Sequence, residues 1–267
     1  MSEPQQRARD AARIDDALQQ AAAVLRRHLE HDVPYTMKQG HGPVTAADHE
    51  VDALLRRLLP EAGDGWLSEE TADDRARLQC RRVWIVDPID GTRSFIARRP
   101  EYSISIALVE DGEPVLGGVC NPASGVTVIG GPGLGVQVRG EPALAFGVVP
   151  PGGLRVLASR SELTRGEWQR WQGVDLLRVV PVGSVAYKLA LVAAGAADAT
   201  WTLRPKSEWD VAGGMALVRG AGGEVWSPIG EPVRFNRERP SFGGFAAAAA
   251  GHGALARRVI EQGRARD

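Results

Sequence analysis

The chain has 267 residues, of which 43% are hydrophobic and 24% charged, and its formal net charge is -1 at neutral pH. This size and apolar content predict one large core or two closely packed lobes. The near-zero net charge argues against a general electrostatic attraction to nucleic acid polymers or to anionic membranes. The sequence also lacks an apolar run near the ~20 residues that a membrane-spanning helix needs.

The N-terminal segment and the cysteines bear on the cellular compartment of the protein. The N-terminal segment is too polar to resemble a secretory signal peptide. The two cysteines, Cys80 and Cys120, do not have the spacing of a metal site, and they are expected to be reduced thiols rather than a disulfide. We therefore expect a cytoplasmic protein.

Residues 1–150 are predicted to form an N-terminal α+β lobe that ends in the Gly- and Pro-rich segment 130–153. Helices are predicted at 8–30 and 45–59, with a loop between them that contains Gly40. Strands are predicted to end at Leu67 and to cover 83–86, 102–109 and 115–120, the last two joined by a hairpin turn at Asp111-Gly112.

Residues 151–267 are predicted to form a C-terminal α/β lobe, because strand and helix patterns alternate there. The predicted strands are 154–158 and 224–226, and the predicted helices are 162–172, 184–194 and 211–220. The small-residue segment 246–250 is interpreted as a closely packed strand or helix.

Two carboxylates three residues apart, Asp87 and Asp90, follow the apolar strand 83–86. Asp-Pro and Asp-Gly pairs are also common in turns, but here they follow a buried strand and have acidic partners elsewhere in the chain. Carboxylates forced together in a partly dry site repel one another, and a divalent cation removes that repulsion. Mg²⁺ prefers such oxygen ligands, so the pattern predicts a metal site that can act on a phosphate.

The segment 87–92, Asp-Pro-Ile-Asp-Gly-Thr, resembles the motif of the inositol monophosphatase-like superfamily. That superfamily includes inositol monophosphatases, fructose 1,6-bisphosphatases and 3'(2'),5'-bisphosphate nucleotidases. Three further segments fit its pattern in chain order, namely 44–48, 67–70 and 209–213, so the resemblance spans about residues 8–260. It implies a layered α/β/α/β/α sandwich of the sugar-phosphatase type and phosphomonoesterase activity.

The resemblance implies two Mg²⁺ ions, with a third, weaker ion near Glu69 as in some members. Glu69, Asp87 and the carbonyl of Ile89 would hold the first ion. The second ion would be held by Asp87, Asp90 and Asp210.

Catalytic roles are implied for Asp48, Thr92 and Glu69. Thr92, supported by Asp48, would position the attacking water and help to deprotonate it. Hydrolysis would then be an in-line attack without a phospho-enzyme intermediate, and positioning and charge neutralisation would supply most of the catalysis. Substrate contacts are implied for Gly91, Thr92, Ser184, Lys188 and Glu208, with the amides of Gly91 and Thr92 on the phosphate.

Structural interpretations compete with several of these roles. Asp48 and Asp210 both lie near helix starts, where a carboxylate commonly caps the helix. Glu70 is interpreted as a surface carboxylate, since the family uses the first Glu of the pair. Ser184 is also interpreted as a helix cap. Trp201 is a candidate for stacking on an adenine ring, with core packing as the alternative.

The substrate is predicted from finer similarities. Segments 68–70, 90–95 and 206–210 resemble the 3'(2'),5'-bisphosphate nucleotidase branch, and the Thr200-Trp201-Thr202 segment lacks the Glu with which inositol-type members bind ring hydroxyls. Four cations could bind a second phosphate, although each is more often a solvated surface charge: Arg93, Lys188, Arg204 and Lys206.

Hydrolysis of adenosine 3',5'-bisphosphate is therefore predicted. The first alternative is an inositol 1-phosphate or related sugar-phosphate phosphatase, and a more remote one is a non-catalytic protein that binds a phosphorylated ligand. The expected partner is a small phosphorylated substrate, and the family also suggests a homodimer.

Overall fold

The structure, a computed structural model, describes residues 3–38 and 42–265, so the predicted loop residue Gly40 lies outside the described residues. The helices are α1 Glu3–His28, α2 Ala46–Leu58, α3 Thr92–Ile96, α4 Arg160–Thr164, α5 Val185–Ala193, α6 Glu208–Gly220 and α7 Gly253–Arg264. The strands of the first half are β1 Tyr35–Met37, β2 Pro43–Thr45, β3 Gly65–Ser68, β4 Arg82–Asp90, β5 Ser103–Glu110, β6 Glu113–Asn121, β7 Val126–Gly131 and β8 Gly135–Arg139. Those of the second half are β9 Leu154–Ser159, β10 Leu177–Val182, β11 Ala199–Thr202, β12 Lys206–Ser207, β13 Glu224–Trp226, β14 Ser241–Phe242 and β15 Phe245–Ala248.

The first large sheet has six strands in the order β3-β4-β5-β6-β7-β8, and only β3 and β4 run parallel within it. Successive side chains of a strand point to opposite faces, and β4 shows the consequence. Trp84 and Val86 pack with residues of α1 and α2, whereas Val83 and Ile85 pack with residues of α5 and α6.

The second large sheet has five strands in the order β10-β9-β11-β15-β13. Leu157 of β9 joins the core around α5 and α6, and its neighbours Val156 and Ala158 join a separate core with α7 and three tryptophans. The layers are therefore α1/α2, first sheet, α5/α6, second sheet, and α7 with α4. This arrangement confirms the predicted α/β/α/β/α sandwich.

The middle layer ties the two halves of the chain together. Helix α6 contacts β4, β5, β6 and β7 of the first sheet as well as β13 and β15 of the second. Both sheets also contribute to a single buried cluster with α5 and α6. A division into two lobes near residue 150 stays a prediction.

Two predicted elements are wrong in their extent. Strand β4 was expected to break into a loop at Asp87, but pairing with β5 continues through Asp87↔Ser105 and Asp90↔Ser103 with an irregularity between them. The predicted helix at 162–172 is instead α4 followed by a 3-10 turn at Gln169–Trp171. The chain leaves helical geometry at Gly166, whose φ is +76°, and Trp168 and Trp171 turn into the outer core.

Cys80 and Cys120 are both free thiols, as predicted. Across residues 3–38 and 42–265, every helix is too short or too polar to cross a bilayer.

Gly117 of β6 tests the close packing that holds α6 on the first sheet. A Cβ atom at this position would lie 2.1 Å from the carbonyl oxygen of Gly213 in α6. We expect Gly117→Ala to lower the free energy of unfolding by about 2 kcal/mol or more, because backbone must move to relieve the overlap. Urea denaturation measures this loss, with Gly42→Ala as the control, since a Cβ atom there meets nothing within 4 Å in the part of the chain that the structure describes. An equal effect of the two substitutions would contradict the prediction.

Candidate metal centre

Asp87 lies near the end of β4 and is only 2% exposed to solvent. One carboxylate oxygen, Oδ1, accepts a hydrogen bond from the amide of Ile89 at 3.0 Å. The other, Oδ2, is buried and has no hydrogen-bond partner among residues 3–38 and 42–265. A buried carboxylate oxygen with no donor is costly unless a cation occupies the space beside it.

Glu69 and Asp210 complete the core of the site. Glu69 directly follows β3, the parallel neighbour of β4, and Asp210 lies in the first turn of α6. One carboxylate oxygen from each of Glu69, Asp87 and Asp210 lies within 4.8 Å of the others. The structure thus brings together three carboxylates from distant parts of the sequence, and their oxygens are spaced to surround an ion.

The electrostatics of the cluster are those of a site built for positive charge. Burial raises the pKa of Asp87 well above its usual value, and the charges of Glu69, Asp90 and Asp210 raise it further. Burial, with a contribution from Asp90, raises the pKa of Asp210 to about 7. Burial likewise raises the pKa of Glu69, against the opposing effect of Lys38. Without a cation, these carboxyl groups hold protons more tightly than exposed ones do.

Asp90 stands beside this cluster, but one of its oxygens is already occupied. Its Oδ2 accepts hydrogen bonds from the Ser184 hydroxyl at 2.7 Å and from the Ala186 amide at 2.6 Å. Ser184 is the N-cap residue of α5, as predicted, and it also contacts the Ser103 hydroxyl at 2.9 Å. The predicted substrate contact Ser184 is therefore a direct support of Asp90.

Asp48, Ile89 and Thr92 meet next to the carboxylates. The Thr92 hydroxyl lies 3.3 Å from Asp48 Oδ1 and 3.0 Å from the carbonyl oxygen of Ile89. Asp48 Oδ2 accepts from the amide and the hydroxyl of Thr45, the N-cap residue of α2. One oxygen of Asp48 therefore closes the helix start, as the capping interpretation stated, and the other faces Thr92, while the catalytic role of Asp48 stays a prediction. Burial raises the pKa of Asp48 despite these hydrogen bonds.

Lys38 is a contact that the sequence reasoning missed. Its Nζ lies 3.1 Å from Glu69 Oε1 and 2.6 Å from Glu70 Oε1. The Glu70 side chain is only 4% exposed, so the prediction of a surface carboxylate there is wrong. The sequence offers only a lysine before a glycine-containing loop, which is too common a pattern to reveal the contact.

Lys188 is buried, so a solvated surface charge is the wrong interpretation for it. The residue is 3% exposed, and its Nζ donates to the carbonyl oxygen of Ser184 at 3.0 Å. Burial lowers its pKa to about 8, and the charge of Asp90 opposes that shift.

Glu208, a predicted substrate contact, is not accessible to solvent. It is fully buried, and its oxygens accept from the amides of Asn236 at 2.7 Å and Arg237 at 3.0 Å. Burial raises its pKa to about 7. We therefore leave Glu208 out of the substrate contacts proposed below.

Trp201 packs in the core, as its alternative interpretation stated. It is 1% exposed, and its ring centroid lies 4.9 Å from that of Trp168 in a stacked arrangement. Neither ring face is open to a ligand base.

Comparison with known proteins decides the family. The family model described as the inositol monophosphatase family matches residues 9–264. The chain belongs to the inositol monophosphatase family. It is accordingly a phosphatase, and the family predicted from residues 87–92 and the three flanking segments is confirmed.

Two curated members of the family illustrate the similarity. The 3'-phosphoadenosine 5'-phosphate phosphatase of Mycobacterium leprae is 33% identical over 238 residues, covering 86% of this chain and 86% of that protein. The 3'(2'),5'-bisphosphate nucleotidase CysQ of Salmonella typhimurium is 34% identical over 224 residues, covering 78% of this chain and 85% of that protein.

Solved structures of the family share the fold. CysQ from Bacteroides thetaiotaomicron is 27% identical, with a TM-score of 0.73 over 90% of this chain and 96% of its own. The inositol monophosphatase of Thermotoga maritima is also 27% identical, with a TM-score of 0.74 over 94% of this chain and 95% of its own.

The raised carboxyl pKa values predict how pH controls cation binding. Because the pKa of Asp210 is raised to about 7, the folded cation-free protein binds more protons than the unfolded chain, so its stability falls as pH rises toward that value. A cation needs the deprotonated carboxylates, so protons compete with it at low pH. We expect Mg²⁺ to raise the melting temperature more at about pH 8 than at about pH 6.

Comparing melts with Mg²⁺ and with chelator at each pH isolates this effect. Glu208, whose pKa is also raised to about 7, lies outside the cluster and titrates alike in both samples. The same increase at both pH values would contradict proton–cation competition.

Asp87→Asn tests the buried oxygen directly. We expect phosphatase turnover to fall at least about 100-fold, since even residues that only support a ligand cost 10–100-fold. The cation-free variant should melt no lower than the parent, because the substitution removes a repelled buried charge. Asp198→Asn is the control: Asp198 is another buried carboxylate, paired with Arg155, and its loss should lower the melting temperature but spare turnover.

Proposed function

We propose that this phosphatase is Mg²⁺-dependent and hydrolyses adenosine 3',5'-bisphosphate to AMP and phosphate. The observation that carries the proposal is the convergence of Glu69, Asp87 and Asp210 around a buried carboxylate oxygen to which no described residue donates a hydrogen bond. An all-carboxylate donor set suits a hard divalent cation such as Mg²⁺. The substrate is supported by the curated relatives from Mycobacterium leprae and Salmonella typhimurium, which are named for this nucleotide class.

The ligands of the cations are part of the proposal, which is supported by the grouping of Glu69, Asp87 and Asp210. We assign Glu69, Asp87 and the Ile89 carbonyl to one ion and Asp87, Asp90 and Asp210 to a second. Bound Mg²⁺ would supply charge neutralisation on the phosphate and on the leaving oxygen. The number of ions, including a third one near Glu69, is part of the proposal.

Thr92 and Asp48 would handle the proton of the attacking water. The single Thr92 hydroxyl proton is directed to Asp48 or to Ile89, so the lone pairs of its oxygen can accept from a water molecule. The raised pKa of Asp48 makes this carboxylate a better proton acceptor near neutral pH. Water would be oriented by Thr92, and its proton would pass through that hydroxyl to Asp48.

The amides at the start of α3 would receive the phosphate. Gly91 precedes this helix with φ +98°, and a Cβ atom there would lie 2.9 Å from the carbonyl oxygen of Glu101. Only glycine can adopt this backbone at this distance. Gly91 therefore permits the turn from β4 into α3, and we propose that the amides of Gly91 and Thr92 in this turn bind the phosphate.

Lys188 lies close enough to the cluster to respond to it, because the charges of Asp90 and Asp210 both act on its ammonium group. Its Nζ donates to the carbonyl oxygen of Ser184, the residue whose hydroxyl supports Asp90. We propose that Lys188 supplies positive charge toward the second phosphate.

The proposed substrate is a small molecule, and a nucleic acid polymer or a membrane is not proposed as a partner. A cytoplasmic location and a possible homodimer are likewise kept as proposals.

Phosphate release from a substrate panel tests the proposal. We expect Mg²⁺-dependent release to be fastest from adenosine 3',5'-bisphosphate, slower from 3'-AMP, and slowest from inositol 1-phosphate. Lys188→Met should raise KM for the bisphosphate more than for 3'-AMP, because only the bisphosphate carries the second phosphate. Equal or faster release from inositol 1-phosphate would support the inositol-type alternative. Binding of these compounds without release would support the non-catalytic alternative.

A further inference from the structure

Asp52 of α2 holds the loop that carries Glu69. Its Oδ1 accepts a hydrogen bond from the Ser68 hydroxyl at 2.5 Å, and its Oδ2 accepts from the Thr71 hydroxyl at 2.6 Å. Asp52 is 9% exposed and Ser68 only 3%. One buried carboxylate therefore ties both ends of a four-residue segment in which Glu69 is the second residue.

The hydrogen bonds leave little freedom for another arrangement. The Ser68 hydroxyl oxygen also accepts from the amide of Glu70 at 3.2 Å, and the Thr71 hydroxyl oxygen accepts from Trp66 Nε1 at 3.3 Å. Each hydroxyl has one proton, and both protons are donated to Asp52. An asparagine at this position replaces one of the two accepting oxygens with an NH₂ donor, so one hydroxyl loses the oxygen that accepts from it.

Glu69 itself has weaker support. Its carboxylate is bound by Lys38, whose side chain is 21% exposed and also pairs with Glu70. The orientation of Glu69 toward Asp87 and Asp210 thus depends on the backbone between Ser68 and Thr71. Asp52 lies one helical turn after Asp48, so a single face of α2 would support both Thr92 and Glu69.

We propose that Asp52 is a positioning residue that sets the Glu69 carboxylate for cation binding, an inference that rests on the metal site of the proposed function. Direct hydrogen-bond partners of metal ligands typically contribute 10–100-fold to metal affinity, and because Asp52 acts on Glu69 through Ser68 and Thr71 we expect an effect at the lower end of that range. Asp52 does not touch the substrate or the reacting atoms in this assignment. Its effect should therefore appear in metal affinity before it appears in the affinity for substrate.

The test is the binding of Mn²⁺, a spectroscopic substitute for Mg²⁺, measured by electron paramagnetic resonance on the full chain without substrate. We expect Asp52→Ala and Asp52→Asn to weaken Mn²⁺ binding about 10-fold or more. Glu50→Ala is the matched control, because it removes a carboxylate from the same helix where that carboxylate is half exposed and pairs with Arg27. At saturating Mg²⁺, KM for the substrate should stay within about twofold of the parent, while the metal concentration needed for half-maximal turnover rises by the same ~10-fold.

A double-mutant cycle separates positioning from simple loss of stability. Ser68→Ala with Thr71→Val removes both donors, so adding Asp52→Asn to this pair should weaken Mn²⁺ binding little further. Parent-like Mn²⁺ affinity in a folded Asp52→Asn variant, with only a lower melting temperature, would overturn the inference and leave the proposed function intact. Absence of Mn²⁺ binding in the parent protein would instead overturn the metal site on which both depend.

Discussion

Mutual repulsion among buried carboxylates is the constraint on which the rest of this structure depends. Asp87 is almost completely buried and feels the charges of Glu69, Asp90 and Asp210. Free side chains would move apart, so the fold must hold them. Glu69 and Asp87 are fixed by the parallel pairing of β3 with β4, and Asp210 by α6, which is pressed onto the first sheet where Gly117 faces Gly213. The five layers thus stabilise an arrangement that the side chains alone would oppose.

Two of the helices that supply carboxylates use the same device. Asp48 and Asp210 are each three residues after a hydroxyl residue that precedes the helix, and each accepts the backbone amide of that residue, Thr45 at 2.8 Å and Ser207 at 3.2 Å. One oxygen therefore closes the helix start, and the other is left for the site. Asp210 had been interpreted as the N-cap residue, but Ser207 holds that position. Capping and catalysis are compatible because a carboxylate has two oxygens.

The sequence predicts features that lie within a short segment better than contacts between residues far apart in the chain. The Asp87–Asp90 pair was predictable because the strand pattern and the motif are both local, and the layered fold followed from motifs in a fixed order. The contacts of Lys38 with Glu69 and of Ser184 with Asp90 join segments 31 and 94 residues apart, and single residue types do not reveal them. The burial of Lys188 was missed for the same reason. The helical spacing of apolar residues at 162–172 led to the wrong prediction of a continuous helix. Trp168 and Trp171 instead pack into the outer core from a short 3-10 turn and the residue before it.

The two lysines near the cluster are not equivalent, and the difference bears on how an anionic substrate is accepted. Lys38 contacts both Glu69 and Glu70, so its charge is balanced locally, and its pKa is raised in spite of burial. Lys188 has a carbonyl oxygen rather than a carboxylate as its hydrogen-bond partner, and burial lowers its pKa to about 8. Two divalent ions would neutralise the four carboxylates, and Lys188 would then add uncompensated positive charge. The same site would repel phosphate without its ions and attract phosphate with them, so the ions and the substrate would each strengthen the binding of the other.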